Sequence, residues 1–129
     1  MVDADPSPSK FRELMLSEEP DLREVLACVF NIQRHEAKTY ETLLAYPGST
    51  VEELAAELDR DRSNVNRSLS TLREKGLATR ERRLLDGGGH VYQYSATPID
   101  EARELMHETL DEWVAYVHDR IDDFGEGDV

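Results

Sequence analysis

The sequence predicts a mainly α fold that carries one small β-hairpin. Apolar residues recur at spacings of three and four through most of the 129 residues. Two alternating runs, "LATRERRLL" and "HVYQYSAT", flank the glycine-rich "DGGG", the pattern of a hairpin with a flexible tip. A last stretch, "TPIDEARELMHETLDEWVAYVHDRIDDF", keeps helical spacing without a break.

Each element has its own signal. Residues 1–9 are polar, hold Pro6 and Pro8, and are expected to form a disordered arm. "KFRELML" and "DLREVLACVFNI" read as helices. In the second, Leu22, Val25, Leu26, Val29 and Phe30 form one stripe, and Pro20, Asp21 and Arg23 suit the first turn. "QRHEAKTYETLLAYPG" places Ala37, Tyr40, Leu43 and Leu44 on one face and is stopped by Pro47-Gly48. "STVEELAAELDRD" opens with a capping box, in which Thr50 accepts from the N–H three residues on while Glu53 reaches back. Val51, Leu54, Ala55 and Leu58 supply its buried stripe. After the turn "DRDR", the helix "SNVNRSLSTLREKG" turns Val65, Leu69 and Leu72 inward, with Asp61 or Ser63 as cap and Gly76 as the left-handed stop.

The final helix is expected to be capped by Thr97, with Pro98 at its first position. Its apolar residues Ile99, Ala102, Met106, Leu110, Trp113, Val117, Ile121 and Phe124 repeat at about 3.67 residues, the period of a nearly straight helix. At about 27 residues it would be roughly 40 Å long, more than a small domain can cover. The seam of Met106, Leu110, Trp113, Val117, Ile121 and Phe124 is therefore expected to pack on a partner subunit. The organisation that follows is an arm at 1–9, a domain of helices and hairpin at 10–97, a dimerisation helix at 98–124 and a tail at 125–129.

Composition narrows the function. With 39% hydrophobic and 33% charged residues the chain reads as one soluble domain with a highly charged surface. It lacks an apolar run of the roughly 20 residues that span a bilayer, and it opens without a signal-peptide pattern, so a cytoplasmic location is expected. The formal net charge is −13, yet residues 60–83 hold eight basic residues against three acidic ones. Twelve arginines to three lysines on an acid-rich chain is the texture of a halophilic protein. There, carboxylates stay hydrated and high salt shortens the range of self-repulsion.

Two short helices across a tight turn, followed by a hairpin, make a winged helix-turn-helix. Its second helix enters the major groove of DNA while the hairpin, or wing, lies along the phosphates. With Val65, Leu69 and Leu72 inward, Ser63, Asn64, Asn66, Arg67, Ser70, Thr71 and Arg73 face outward. Asn suits adenine, Arg suits guanine, and Ser or Thr suits either base edges or phosphate. Residues 62–73 contain no acidic residue, although Asp and Glu dominate elsewhere. The basic cluster thus reads as a DNA footprint. Ser63, Asn64, Asn66 and Arg67 are the candidates for base contacts, and Arg62, Ser70, Arg73, Arg82 and Arg83 for phosphate contacts. His90 is a candidate for approaching the minor groove.

Other chemistries find less support. "HEAKT" lacks the second histidine of a zinc protease, with Thr39 in its place, and no nucleophilic triad can be assembled; no enzyme is expected. "DGGG" lacks the Lys-Ser/Thr of a phosphate-cradling loop. His107 with Asp111, and His118 with Asp122, are spaced as metal ligands, but two ligands per pair read more simply as a solvated face. No cofactor, metal, small-molecule substrate or membrane partner is expected. RNA binding lacks aromatic residues interleaved with the basic ones. A protein-docking adaptor is the alternative of a different class, since the overall charge repels DNA.

The run "EAKTYETLLAYPGSTVEELAAELDRDRSNVNRSLSTLREKGLATRERR" resembles the DNA-binding domain of the archaeal TrmB-like winged-helix transcriptional regulators. The likeness is carried by Glu36, Ala37, Tyr40, Leu43 and Leu44, and by Arg62, Ser63, Val65, Leu69, Leu72, Glu74, Lys75, Gly76 and Leu77. It covers roughly residues 33–97. No sugar-binding domain follows the wing in this sequence, and the acidity and long last helix look like the small single-domain haloarchaeal members. The resemblance implies a homodimer on a palindromic operator, with recognition helices in successive major grooves. Some members of that kind resemble thiol-based oxidant sensors with a cysteine in the N-terminal helical region, which implies control of oxidative-stress genes. Cys28 is the only cysteine. Read from composition, a cysteine in an apolar helix is a small core residue. Read as a sensor, its thiol would pair across the dimer, pair with a small thiol, or become a sulfenic acid.

Overall fold

The structure, a computed structural model, describes residues 12–16 and 19–125. The expected arm and the last four residues of the tail lie outside the described residues. A helical segment at 12–16 (α1) is followed by α2 (Leu22–Phe30), α3 (Arg34–Ala45), α4 (Val51–Leu58) and α5 (Arg62–Glu74). Strands β1 (Ala78–Leu84) and β2 (His90–Ala96) then lead into α6 (Ile99–Asp123).

Local chemistry sets most boundaries. Asp21 caps α2 in a reciprocal box: its carboxylate accepts from the Glu24 N–H at 2.9 Å, and Glu24 accepts from the Asp21 N–H at 2.9 Å. Pro20 therefore precedes the cap and lies outside the first turn, where the sequence pattern had placed it. The Thr50–Glu53 box at the start of α4 forms as expected, at 2.9 and 3.1 Å. Asp59 closes α4 in the left-handed region, with φ 55°. Asp61 then occupies the N-cap of α5, its side chain making no capping bond, and Ser63 lies inside the helix. The two helices are thus separated by three residues. Gly76 stops α5 at φ 81°. A side chain there would also meet Leu105 Cδ2 at 3.1 Å, so both backbone angle and space call for glycine.

β1 and β2 pair antiparallel in the register Ala78↔Ala96 to Leu84↔His90. On the other edge of β2, Tyr94 exchanges two 2.8 Å backbone hydrogen bonds with the α3–α4 loop, donating to Ser49 and accepting from Gly48. The hairpin is anchored at its base and exposed beyond it. The core lies between α2, α3, α5 and that base. Tyr40, Leu43, Leu69 and Leu72 are fully or almost fully buried in it.

The last helix begins one residue later than its pattern implied. Pro98 holds the N-cap position, and Thr97 caps nothing in α6. Instead its hydroxyl donates to the Gly76 carbonyl at 2.7 Å, and its N–H donates to Leu77 at 2.9 Å. Ala102, Leu105 and Met106 pack on the chain's own core. Met106, expected in the outward seam, is half-buried against this core. Farther along, Trp113 is 48% exposed, and Ile121 and Phe124 are more exposed still. Phe124 stands just past the helix end. At 25 residues α6 is about 37 Å long, so its second half outruns the domain.

Tyr40 links these parts. Its hydroxyl donates to the Thr97 carbonyl at 2.6 Å, joining α3 to the segment between wing and α6. Burial disfavours the phenolate and pushes the Tyr40 pKa up to about 12. The folded value exceeds the ordinary phenol's, so this contribution is full below pH 10 and lost as pH rises toward 12. Tyr40→Phe is expected to cost about 1 kcal/mol at neutral pH. Urea unfolding of both proteins across the alkaline range should show that gap narrowing as pH rises; a constant gap would refute the assignment.

Candidate nucleic-acid interface

The two sides of α5 differ in kind. Val65, Ser68, Leu69 and Leu72 are buried. Ser63, Asn66, Arg67, Ser70 and Arg73 are exposed, while Asn64 and Thr71 are half-buried. Every α5 residue nominated from the sequence, including Arg62, therefore reaches solvent to some degree. Arg67 donates to the Asn64 side chain one turn back, which sets these two as one unit on the outer face. Arg62 pairs with Glu52 of α4 at 3.2 Å, both side chains being more than half exposed. Such a pair is worth little in water and is readily exchanged for another anion. Among the described residues, Arg62 is the only ion-paired member of the eight basic residues in the 60–83 cluster.

One feature of α5 went unread in the sequence. Ser68 lies three residues after Val65 and four before Leu72, which places it on the inner face, and it is 1% exposed. Its hydroxyl oxygen is 3.2 Å from His35 Nδ1 of α3. His35 Nε2 lies 2.8 Å from Gln33 Oε1, an acceptor, so Nε2 carries the proton and Nδ1 accepts from Ser68. This chain of hydrogen bonds backs the middle of α5. The spacing could have revealed Ser68; only the fold reveals His35.

The hairpin separates residues that the sequence pattern had grouped. Arg80, Arg82 and Leu84 share one face with His90, Tyr92 and Tyr94, while Arg83 shares the other with Glu81 and Gln93. Arg82, Arg83 and His90 are all exposed, but Arg82 and Arg83 point to opposite sides. The Arg82 side is the one whose base, Ala78 and Tyr94, enters the core with α5. Arg80, given no role from the sequence, lies over the Tyr92 ring at 4.0 Å from its centroid. Its hydrogen bond to Tyr94 raises its pKa above the ordinary arginine value against a smaller desolvation effect.

Away from this surface, Cys28 is half-buried, unlike its core neighbours Leu26 and Ala27. It lines a cavity of about 430 Å³ with Leu14, Arg23, Glu24 and Arg34. Arg23 is paired with Glu41 at 2.9 Å. Among the described residues no three His, Cys, Asp or Glu side chains gather as a metal site, and no helix is long and apolar enough to cross a membrane.

Two helices across a three-residue turn, an exposed arginine- and asparagine-bearing face and a basic hairpin define a DNA-binding winged helix-turn-helix protein. Residues 26–100 match the family described as sugar-specific transcriptional regulator TrmB, and the chain belongs to that family. It is a winged-helix transcriptional regulator. It is 34% identical over 89 residues to an uncharacterized protein of Methanocaldococcus jannaschii, covering 69% of this chain and 67% of that one. Its fold is similar to that of a possible transcriptional regulator from Methanosarcina mazei Go1, with a TM-score of 0.70 at 24% identity over 85% of this chain and 93% of the other. It is also similar to TrmBL2, an archaeal chromatin protein with a novel mode of DNA binding, with a TM-score of 0.60 at 21% identity. That match covers 78% of this chain and 35% of TrmBL2.

Proposed function

We propose that the chain acts as a homodimer on a palindromic DNA operator and that its response is set by the redox state of Cys28. The observation that carries the DNA half is that residues 62–73 of α5 hold no acidic residue on a protein of net charge −13, the exposed Glu74 coming only at the helix's last position. A random surface helix of this chain would carry carboxylates, as α4 does with Glu52, Glu53 and Glu57. Ser63, Asn64, Asn66 and Arg67 read base edges. Arg62, Ser70, Arg73 and Arg82 hold phosphates, and Arg83, on the far side of the wing, adds long-range attraction. His90 sits at the wing's tip beside the groove. The acidic remainder keeps the protein hydrated in the cytoplasm of a salt-rich archaeal cell.

The exposed second half of α6 supports dimerisation. Trp113, Ile121 and Phe124 expose apolar surface that a second copy of the helix would cover, with Leu110 and Val117 alongside. The sensor half draws on the place of the half-buried Cys28 in the lining of a cavity that also holds Arg23, Arg34, Asp21 and Glu24, which gives a small oxidant a path to the sulfur. Because α6 packs on α2, a change at Cys28 would shift the spacing of the two recognition helices.

Arg67→Ala is expected to relax sequence preference by about 1–3 kcal/mol, whereas Arg82→Ala should weaken all duplexes alike. Selection of binding sites from a random DNA pool separates the two effects; equal losses on every sequence for Arg67→Ala would sink the base-reading role. Ile121→Glu should yield monomers in sedimentation, and unchanged dimers would exclude the α6 seam. Cys28→Ser should bind DNA as the reduced protein does and ignore peroxide. A variant that still responds to peroxide removes the sensor.

A further inference from the structure

The wing holds an arrangement that base reading does not use. Arg80 is the register partner of Tyr94 and the diagonal neighbour of Tyr92. Its guanidinium carbon lies 4.0 Å from the Tyr92 ring centroid, and Nη1 lies 3.5 Å from the Tyr94 hydroxyl oxygen. His90 meets the same Tyr92 ring nearly edge-on, with centroids 5.3 Å apart and planes at 76°. Among the described residues Arg80 forms no ion pair. A guanidinium laid on an aromatic face loses rotamer freedom in advance yet keeps N–H groups directed outward in its own plane. An arginine free in solvent gives up that freedom only on binding, at a loss of about two- to tenfold in affinity.

Charge distinguishes the two faces of the hairpin. The Arg83 face also carries Glu81, so its formal charges cancel. The opposite face carries Arg80 and Arg82 with no carboxylate, and its base joins the core beside α5. A phosphate is attracted more strongly to the second face than to the first.

We propose that Arg80 is the wing's phosphate clamp and that Tyr92 is its positioning residue, presenting a pre-set guanidinium to the DNA backbone. Arg82 lies alongside as a second, less restrained contact. His90 thereby becomes a brace for the Tyr92 ring as well as a group near the groove. This assignment rests on the DNA-binding reading above.

The test measures binding of the full chain to a fluorescently labelled mixed-sequence duplex of about 30 base pairs, as a function of salt. All variants are compared where their far-ultraviolet circular dichroism matches the wild type. Arg80→Gln should weaken binding and flatten the log–log salt slope by about 0.9, the value of one lost phosphate contact. Arg83→Gln should reduce affinity less than Arg80→Gln does. Tyr92→Leu should retain the full slope, since the charge remains, but bind about two- to tenfold more weakly. Tyr92→Phe, which keeps the ring, should regain most of that loss. If Arg80→Gln keeps wild-type slope and affinity, the clamp is wrong although DNA binding stands. If Phe and Leu at position 92 are equally impaired, the ring does not position Arg80. A wild-type protein without salt-dependent binding would overturn the DNA reading itself.

Discussion

The seating of α5 is the constraint on which the other features depend. Val65, Leu69 and Leu72 are at most 1% exposed, and burying each such side chain is worth about 1.5–3 kcal/mol. Rotating the helix by one residue would bring Asn66 or Arg73 toward the apolar interior and leave leucines in water, at a cost of several kcal/mol. The outward side is therefore determined by the inward one. Ser68 is the exception on the buried side, and it is tolerated because its hydroxyl is hydrogen-bonded to His35.

The ends of α5 are held separately. At its start, the left-handed Asp59 lets the chain turn within three residues. At its end, Gly76 turns under Leu105 while Thr97 holds the Gly76 carbonyl and Tyr40 holds that of Thr97. The same few residues thus connect recognition helix, wing and the start of α6. The start of α6 and the end of α5 are joined through packed atoms and short hydrogen bonds.

Electrostatics imposes the opposite requirement from packing. A chain of charge −13 approaches a polyanion only if its positive charges are concentrated and left uncompensated by its own carboxylates. Ion pairing is correspondingly sparse around the basic cluster: among the described residues the single pair there, Arg62 with Glu52, is solvated on both sides. Where the wing does constrain an arginine, it uses an aromatic ring, which leaves the charge available.

Much of this was already legible in the residues. The Thr50–Glu53 box, Gly76 as a stop, the "DGGG" tip and the 62–73 stretch without acids are local or compositional signals, and they determined the elements and the basic cluster. What neighbours cannot encode is contact across the fold. His35 and Ser68 are 33 residues apart, and Tyr40 and Thr97 are 57 apart, so neither bond has a sequence period. Thr97 reads as a helix cap because Pro98 follows it, yet the helix starts one residue later and the Thr97 hydroxyl donates to the Gly76 carbonyl, which only the fold brings within reach. Met106 fits the outward seam by spacing, and only the fold shows that it also packs half-buried on the chain's own core. Local pattern decided which residues form each helix and strand; only packing decided which neighbour each face would meet.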